Sequence, residues 1–271
     1  MRVLFLGDVV GKSGRRLVAE TLPDFRRKYK VDFAIVNGDN AAHGFGLSQS
    51  VLRELFQSGA DVVTSGNHGW IAKEMQPFLN TENRLLRPAN YPEGAPGKGA
   101  GLYRLPDGRK VAVLHLQGRV YMDSIENPFA AAKRWTDAVG LGRDAQAMIV
   151  DLHAEATSEK MAMGQYLDGS VSLVVGTHTH IPTADAQILP RGTAYLTDAG
   201  MCGCFDSVIG MNKVEPVSRF VTNRANEKYT PEKGDATVCG VMVDTNDRTG
   251  LAEKIYMIRY GGRLQESLPP L

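Results

Sequence analysis

Four of the six histidines, His68, His153, His178 and His180, stand just after short apolar runs, as do Asp8, Asp39, Asn40 and Asn67. Buried strands read as such runs, and in α/β proteins ligands gather beyond the carboxyl ends of strands. Five separate strand ends can therefore converge on one point. The groups offered there are carboxylate, amide oxygen and imidazole, without thiolate, a set suited to iron, manganese or zinc. Taken singly, Asp8, Asn40 or Asn67 is an ordinary turn or cap residue, and one strand-end histidine is ordinarily structural. Thr177-His178-Thr179-His180 is different, because it places two imidazoles at one backbone bend. The joint pattern favours a metal centre.

Other motifs carry less. Gly7-Asp-Val-Val-Gly11-Lys12-Ser13 resembles a phosphate-binding loop but has three residues between its glycines where that loop needs four. Asp8 would also put a carboxylate where phosphate oxygens must sit. Cys202-Gly-Cys204 is not a Cys-x-x-Cys pair and reads as packing. His115, inside an apolar run, reads as core. His43 is near enough in sequence to touch a substrate, although a plain loop histidine is the better reading.

The elements that must position these groups alternate at first. Val3–Leu6 reads as a strand, 7–14 as a Gly-rich loop, and the chain to about Tyr29 as a helix with Leu17, Leu22 and Phe25 on its apolar face. Phe33–Val36 is a second strand. Ser48 is the expected N-cap of a helix carrying Val51, Leu52, Leu55 and Phe56. Val62–Thr64 is a third strand, ending in Gly66-Asn67-His68-Gly69. This order predicts a parallel sheet. Farther on, Val111–Leu116 follows a Pro-Asp-Gly turn as a hairpin arm, and Met148–Leu152 and Val171–Val175 are apolar strands. Hairpins are expected at 186–196 and 238–258. Two mixed sheets packed face to face with helices outside follow, as one domain over 1–271. Segment 118–146, with weaker periodicity, is expected as a small insertion over the site.

Composition excludes several classes. With 271 residues, 43% hydrophobic and 23% charged, the chain has material for one large core. Its 31 Lys+Arg against 30 Asp+Glu give a net charge of +1, so no bulk field recruits nucleic acid or anionic membrane. Three cysteines are too few for a disulfide framework. No run approaches the roughly 20 apolar residues of a membrane span, and the start lacks the marks of a signal peptide. The expectation is a cytoplasmic protein, with homo-oligomer formation left open.

The ordered set Gly-Asp, Gly-Asp-Asn, Gly-Asn-His, His and Gly-x-His-x-His resembles the calcineurin-like metallophosphoesterases. Gly7-Asp-Val-Val-Gly11, Asn37-Gly-Asp-Asn-Ala-Ala42, Gly66-Asn-His-Gly-Trp70, Thr177-His-Thr-His-Ile-Pro-Thr-Ala-Asp185 and Asp206-Ser-Val-Ile-Gly-Met211 resemble the YmdB-like bacterial branch, whose members are cyclic-nucleotide phosphodiesterases. The resemblance implies a four-layer αββα sandwich holding two transition-metal ions per chain, iron or manganese. Asp8, Asp39, Asn40 and His180 would hold one ion. Asn67, His153 and His178, with Asp39 shared, would hold the other, and His68 would be the nearby acid. The chain departs twice: Val10 stands where the wider superfamily has His, and Asp39 where this branch usually has Glu.

The chemistry then expected is hydrolysis of a cyclic nucleotide, foremost 2′,3′-cyclic AMP, by a hydroxide bridging two ions, with His68 protonating the leaving alkoxide. The alternatives are a broad phosphomonoesterase or phosphatase, and a regulator acting mainly by nucleotide or partner binding.

Overall fold

The structure is a computed structural model that describes residues 1–68 and 75–270; Gly69 and Trp70 of the third motif lie outside the described residues. The strands are β1 (Arg2–Leu6), β2 (Asp8–Val9), β3 (Phe33–Asn37), β4 (Val62–Thr64), β5 (Leu85–Leu86), β6 (Ala100–Arg104), β7 (Lys110–Gln117), β8 (Ala147–His153), β9 (Leu173–Thr177), β10 (Gln187–Ile188), β11 (Ala194–Leu196), β12 (Met201–Cys204), β13 (Ala236–Thr245) and β14 (Ala252–Tyr260). The helices are α1 (Gly11–Tyr29), α2 (Gln49–Gln57), α3 (Gln76–Leu79), α4 (Pro128–Ala138), α5 (Thr157–Leu167) and α6 (Val214–Thr222).

One sheet runs in the order β2-β12-β13-β1-β3-β4-β5, with β14 paired to β13; the other runs β10-β11-β9-β8-β7-β6. Strands β1, β3, β4 and β5 are mutually parallel, as are β7, β8, β9 and β11, and the expected hairpins β6–β7, β10–β11 and β13–β14 close antiparallel. Both parallel sets are near-continuous Val, Ile and Leu because each is covered on both faces.

Three apolar clusters separate four layers. Val18, Leu22, Phe25 and Leu52 of α1 and α2 pack on one face of the first sheet with Leu4, Leu6 and Val36. Phe5, Ile35 and Val241 meet Val113, Ile149 and Val175 between the sheets. Ala131, Ala132, Met163 and Leu167 of α4 and α5 cover the far face of the second sheet. The fold is therefore the four-layer αββα sandwich that the resemblance implied.

Local differences have physical causes. Helix α1 starts at Gly11, inside the segment read as loop, and Gly14 lies in its first turn. A Cβ on Gly14 would sit 2.0 Å from the Cys202 carbonyl oxygen, so glycine there marks helix-to-strand contact. Ser48 caps α2 through the Val51 amide, 3.3 Å away, as expected. Of segment 118–146, α4 joins the outer layer, while Tyr121, Met122 and Asp123 border a recess beside Asn67 and His178. Among the described residues, no helix is long and apolar enough to cross a membrane. All three cysteines are buried free thiols.

Candidate metal centre

All eight residues singled out at strand ends meet at one end of the two sheets. Asp8 follows β1, Asp39 and Asn40 follow β3, Asn67 and His68 follow β4, His153 ends β8, and His178 and His180 follow β9. Asp8, Asp39 and His153 are buried, and each offers a ligand atom within 4.8 Å of the others, a group able to hold a metal ion. His178 and His180 both have left-handed backbones, φ 94° and 67°. Conformations of this kind cost on the order of 1–3 kcal/mol each and cluster at functional sites.

The hydrogen bonds fix which ring nitrogens carry lone pairs. The Thr177 hydroxyl donates to Asp151 at 2.7 Å, so it accepts from His153 Nδ1 at 2.9 Å. His153 Nε2 is left bare, 3.4 Å from Asp39 Oδ2 and 2.8 Å from Asn67 Oδ1. His180 Nδ1 donates to the Ile209 carbonyl at 2.7 Å, which bares Nε2. That nitrogen faces Asn40 Oδ1 at 3.1 Å, an oxygen oriented by the Asn40 amide donating to the Gly44 carbonyl. His178 Nε2 lies 3.2 Å from Glu155, and its Nδ1 faces His153 Nε2 at 3.1 Å. Asp8 Oδ1 is buried without any hydrogen-bond partner. Electron pairs thus point at electron pairs, an arrangement that a cation relieves. The residues fit a metal.

Protonation follows the same logic. Burial first, then the charges of Asp198 and Asp39, raise the Asp8 carboxyl well above its ordinary range. Burial pushes Asp39 the same way, and the bond and charge of His68 oppose it. Burial above all pulls His178 down to about 3, and burial lowers His180 too, so both imidazoles are neutral, as ligands must be. For His68, burial lowers the pKa, yet the bond and charge of Asp39 prevail and raise it. The contact is close: His68 Nδ1 lies 2.6 Å from Asp39 Oδ2, and the His68 amide donates to Oδ1 at 2.8 Å.

Supporting residues lie behind this cluster. Asp151 accepts from Thr64 at 2.7 Å and Asn37 at 3.2 Å on the first sheet and from Thr177 on the second, tying the sheets together under the site. His115 is core, as expected, and its Nε2 also accepts from the Gly66 amide at 3.0 Å. Asp198 holds the His-Thr-His bend through Thr179 Oγ1 at 2.6 Å and pairs with buried Lys160 at 2.7 Å. Asp198 stands two residues past β11 and met the strand-end criterion that found the others; Glu155 stands two past His153. Val10, in place of the superfamily histidine, is buried against Met201 and Met211. His43 is exposed and lines a separate recess with Lys12 and Arg15, away from the cluster.

The cluster opens into a cleft of about 380 Å³ lined by Asp39, Asn40, His68, His178 and His180 together with Phe45, Ile209, Phe220 and Tyr229. A family model described as YmdB-like protein matches residues 4–258. A 2′,3′-cyclic-nucleotide 2′-phosphodiesterase of Bacillus subtilis is 47% identical over 258 residues, covering 95% of this chain and 96% of that protein. A crystal structure of a hypothetical protein from Thermus thermophilus superposes with a TM-score of 0.89 at 40% identity, covering 97% of this chain and all of that one. Another, described as a novel phosphatase from Mycoplasma pneumoniae, gives 0.88 at 35% identity, covering 96% and 93%.

Proposed function

Since the chain belongs to the YmdB-like family of metallophosphoesterases, we propose that it hydrolyses cyclic nucleotides, foremost 2′,3′-cyclic AMP, at a two-metal centre of iron or manganese. One observation carries the reading: bare imidazole nitrogens, a partnerless Asp8 oxygen and the Asp39 carboxylate crowd together in a buried pocket. Asp8, Asn40 and His180 would hold one ion, Asn67, His153 and His178 the other, and Asp39 both. Bound there, the ions would supply Lewis acidity, lowering the pKa of water and neutralising phosphoryl charge.

The chain's own groups do the rest. Opening a cyclic diester breaks one phosphorus–oxygen bond and expels a ribose alkoxide, a poor leaving group unless protonated. His68 holds its Nδ1 proton against Asp39, which turns Nε2 into the atom that can give a proton to that oxygen. The Asp39 contact supports the imidazolium form needed for the task. Thr177 and Ile209 keep His153 and His180 in the tautomers that present Nε2 inward.

Purified protein assayed with matched cyclic nucleotides and phosphomonoesters, with and without Mn²⁺ or Fe²⁺, tests this function. Metal-dependent turnover of 2′,3′-cyclic AMP, well above that of 5′-AMP, is expected. Preference for monoesters would make the protein a phosphatase. Tight nucleotide binding without turnover would make it a regulator.

A further inference from the structure

The cleft is chemically lopsided. Among the described residues lining it, the polar ones belong to the candidate centre or adjoin it, whereas Phe45, Ile209, Pro216, Phe220 and Tyr229 give the rest of the lining an apolar and aromatic character. Phe220 keeps 87% of its surface exposed, although it borders a cavity, and Phe45 keeps 36%. The Phe45 ring packs edge-on to His68 with centroids 5.3 Å apart, so the apolar wall begins beside the proton donor. The Arg219 guanidinium lies 4.1 Å from the Tyr229 ring centre and is itself held by Glu215 at 2.6 Å, which fixes that ring.

Resting on the cyclic-nucleotide reading, we infer that Phe45, Phe220 and Tyr229 form the nucleobase subsite and hold the base by its faces. A diester anion is drawn to the polar end, which leaves the base to lie along the aromatic wall. Stacking of a base on an aromatic ring is worth roughly 5- to 150-fold in affinity and tolerates every base, since each has a π face. Edge reading needs donors and acceptors, and among the side chains of Phe45, Ile209, Pro216, Phe220 and Tyr229 the Tyr229 hydroxyl is the one such group. The subsite therefore prefers the larger purine faces and treats adenine and guanine nearly alike.

The test measures kcat/KM for the four 2′,3′-cyclic nucleotides and for ribose 2′,3′-cyclic phosphate, which carries no base. The metal-loaded wild type is compared with Phe220→Ala and Tyr229→Ala. Wild type should favour both purines over the base-free diester by about tenfold or more, with adenine and guanine within about threefold. Phe220→Ala, a change at an exposed position, should lower that selectivity about tenfold, chiefly through KM. Unchanged selectivity in both variants overturns the subsite, as does adenine–guanine discrimination beyond about tenfold. Hydrolysis of the base-free diester without any preference for nucleotides also overturns it while leaving phosphodiester chemistry standing. If no ester is hydrolysed, the proposed activity itself fails, and direct binding of 2′,3′-cyclic AMP to the same three proteins still reads the subsite: equal affinities overturn it.

Discussion

At the scale of single residues, His68 separates acid catalysis from metal binding. Its side chain touches Asp39, but a neighbour, Asn67, supplies the candidate ligand atom. His68→Ala should leave metal content nearly intact and slow turnover of cyclic nucleotides by about 10² to 10⁴. The loss should shrink for bis-nitrophenyl phosphate, whose leaving group needs little protonation; an equal loss on both substrates would assign His68 to orienting Asp39. Asp39→Glu restores the residue usual in this branch and should keep metal, with altered substrate preference, read by parallel metal analysis and kinetics. That these residues would gather was legible in the sequence, because each follows an apolar run. The bonds that orient them were not: the Thr177–Asp151 and His180–Ile209 contacts join residues 26 and 29 positions apart, a pairing that only the folded sheets and loops determine.

Elements set the tolerances of the site. Gly66, in the loop after β4, has φ 55°, and a Cβ there would lie 2.3 Å from the Asp39 carboxylate. Gly66→Ala should displace Asp39 and weaken metal binding severely, whereas Ser48→Ala, remote from the cluster, should cost about 1 kcal/mol of stability for its lost cap and leave activity alone. Equal activity in the two variants would refute the role given to Gly66. Asp151→Asn keeps the shape of the residue that ties the sheets but removes its charge beside His115, 3.1 Å away. We expect destabilisation of about 1–3 kcal/mol and metal affinity lowered about 10- to 100-fold, measured by denaturant titration and isothermal calorimetry. Helix α5 shows what periodicity misses. Its buried face carries Glu159 and Lys160, which bind the Arg119 amide and Asp198, so no apolar stripe announced it. Helix α6 differs: Val214, Val217, Phe220 and Val221 stand at helical spacing, but the fold leaves them exposed.

For the molecule as a whole, the sandwich brings the carboxyl ends of both parallel strand sets to one place and buries two carboxylates there. Buried carboxylates are costly without a compensating charge, so the folded state should gain from metal that the unfolded chain does not bind as well. At a free Mn²⁺ concentration 100 times the dissociation constant, the gain is about 2.7 kcal/mol, or roughly 5 °C in Tm for a chain of this length. A chelator should reverse it, and scanning calorimetry reads both. The most direct measurement is metal content, by elemental analysis of wild type and Asp39→Asn purified without chelator and then offered Mn²⁺ and Fe²⁺. Wild type should approach two ions per chain, and Asp39→Asn, which keeps the shape but loses the shared charge, should lose at least one. A wild-type chain that neither carries nor takes up metal, or an Asp39→Asn chain that keeps both ions, would contradict the account.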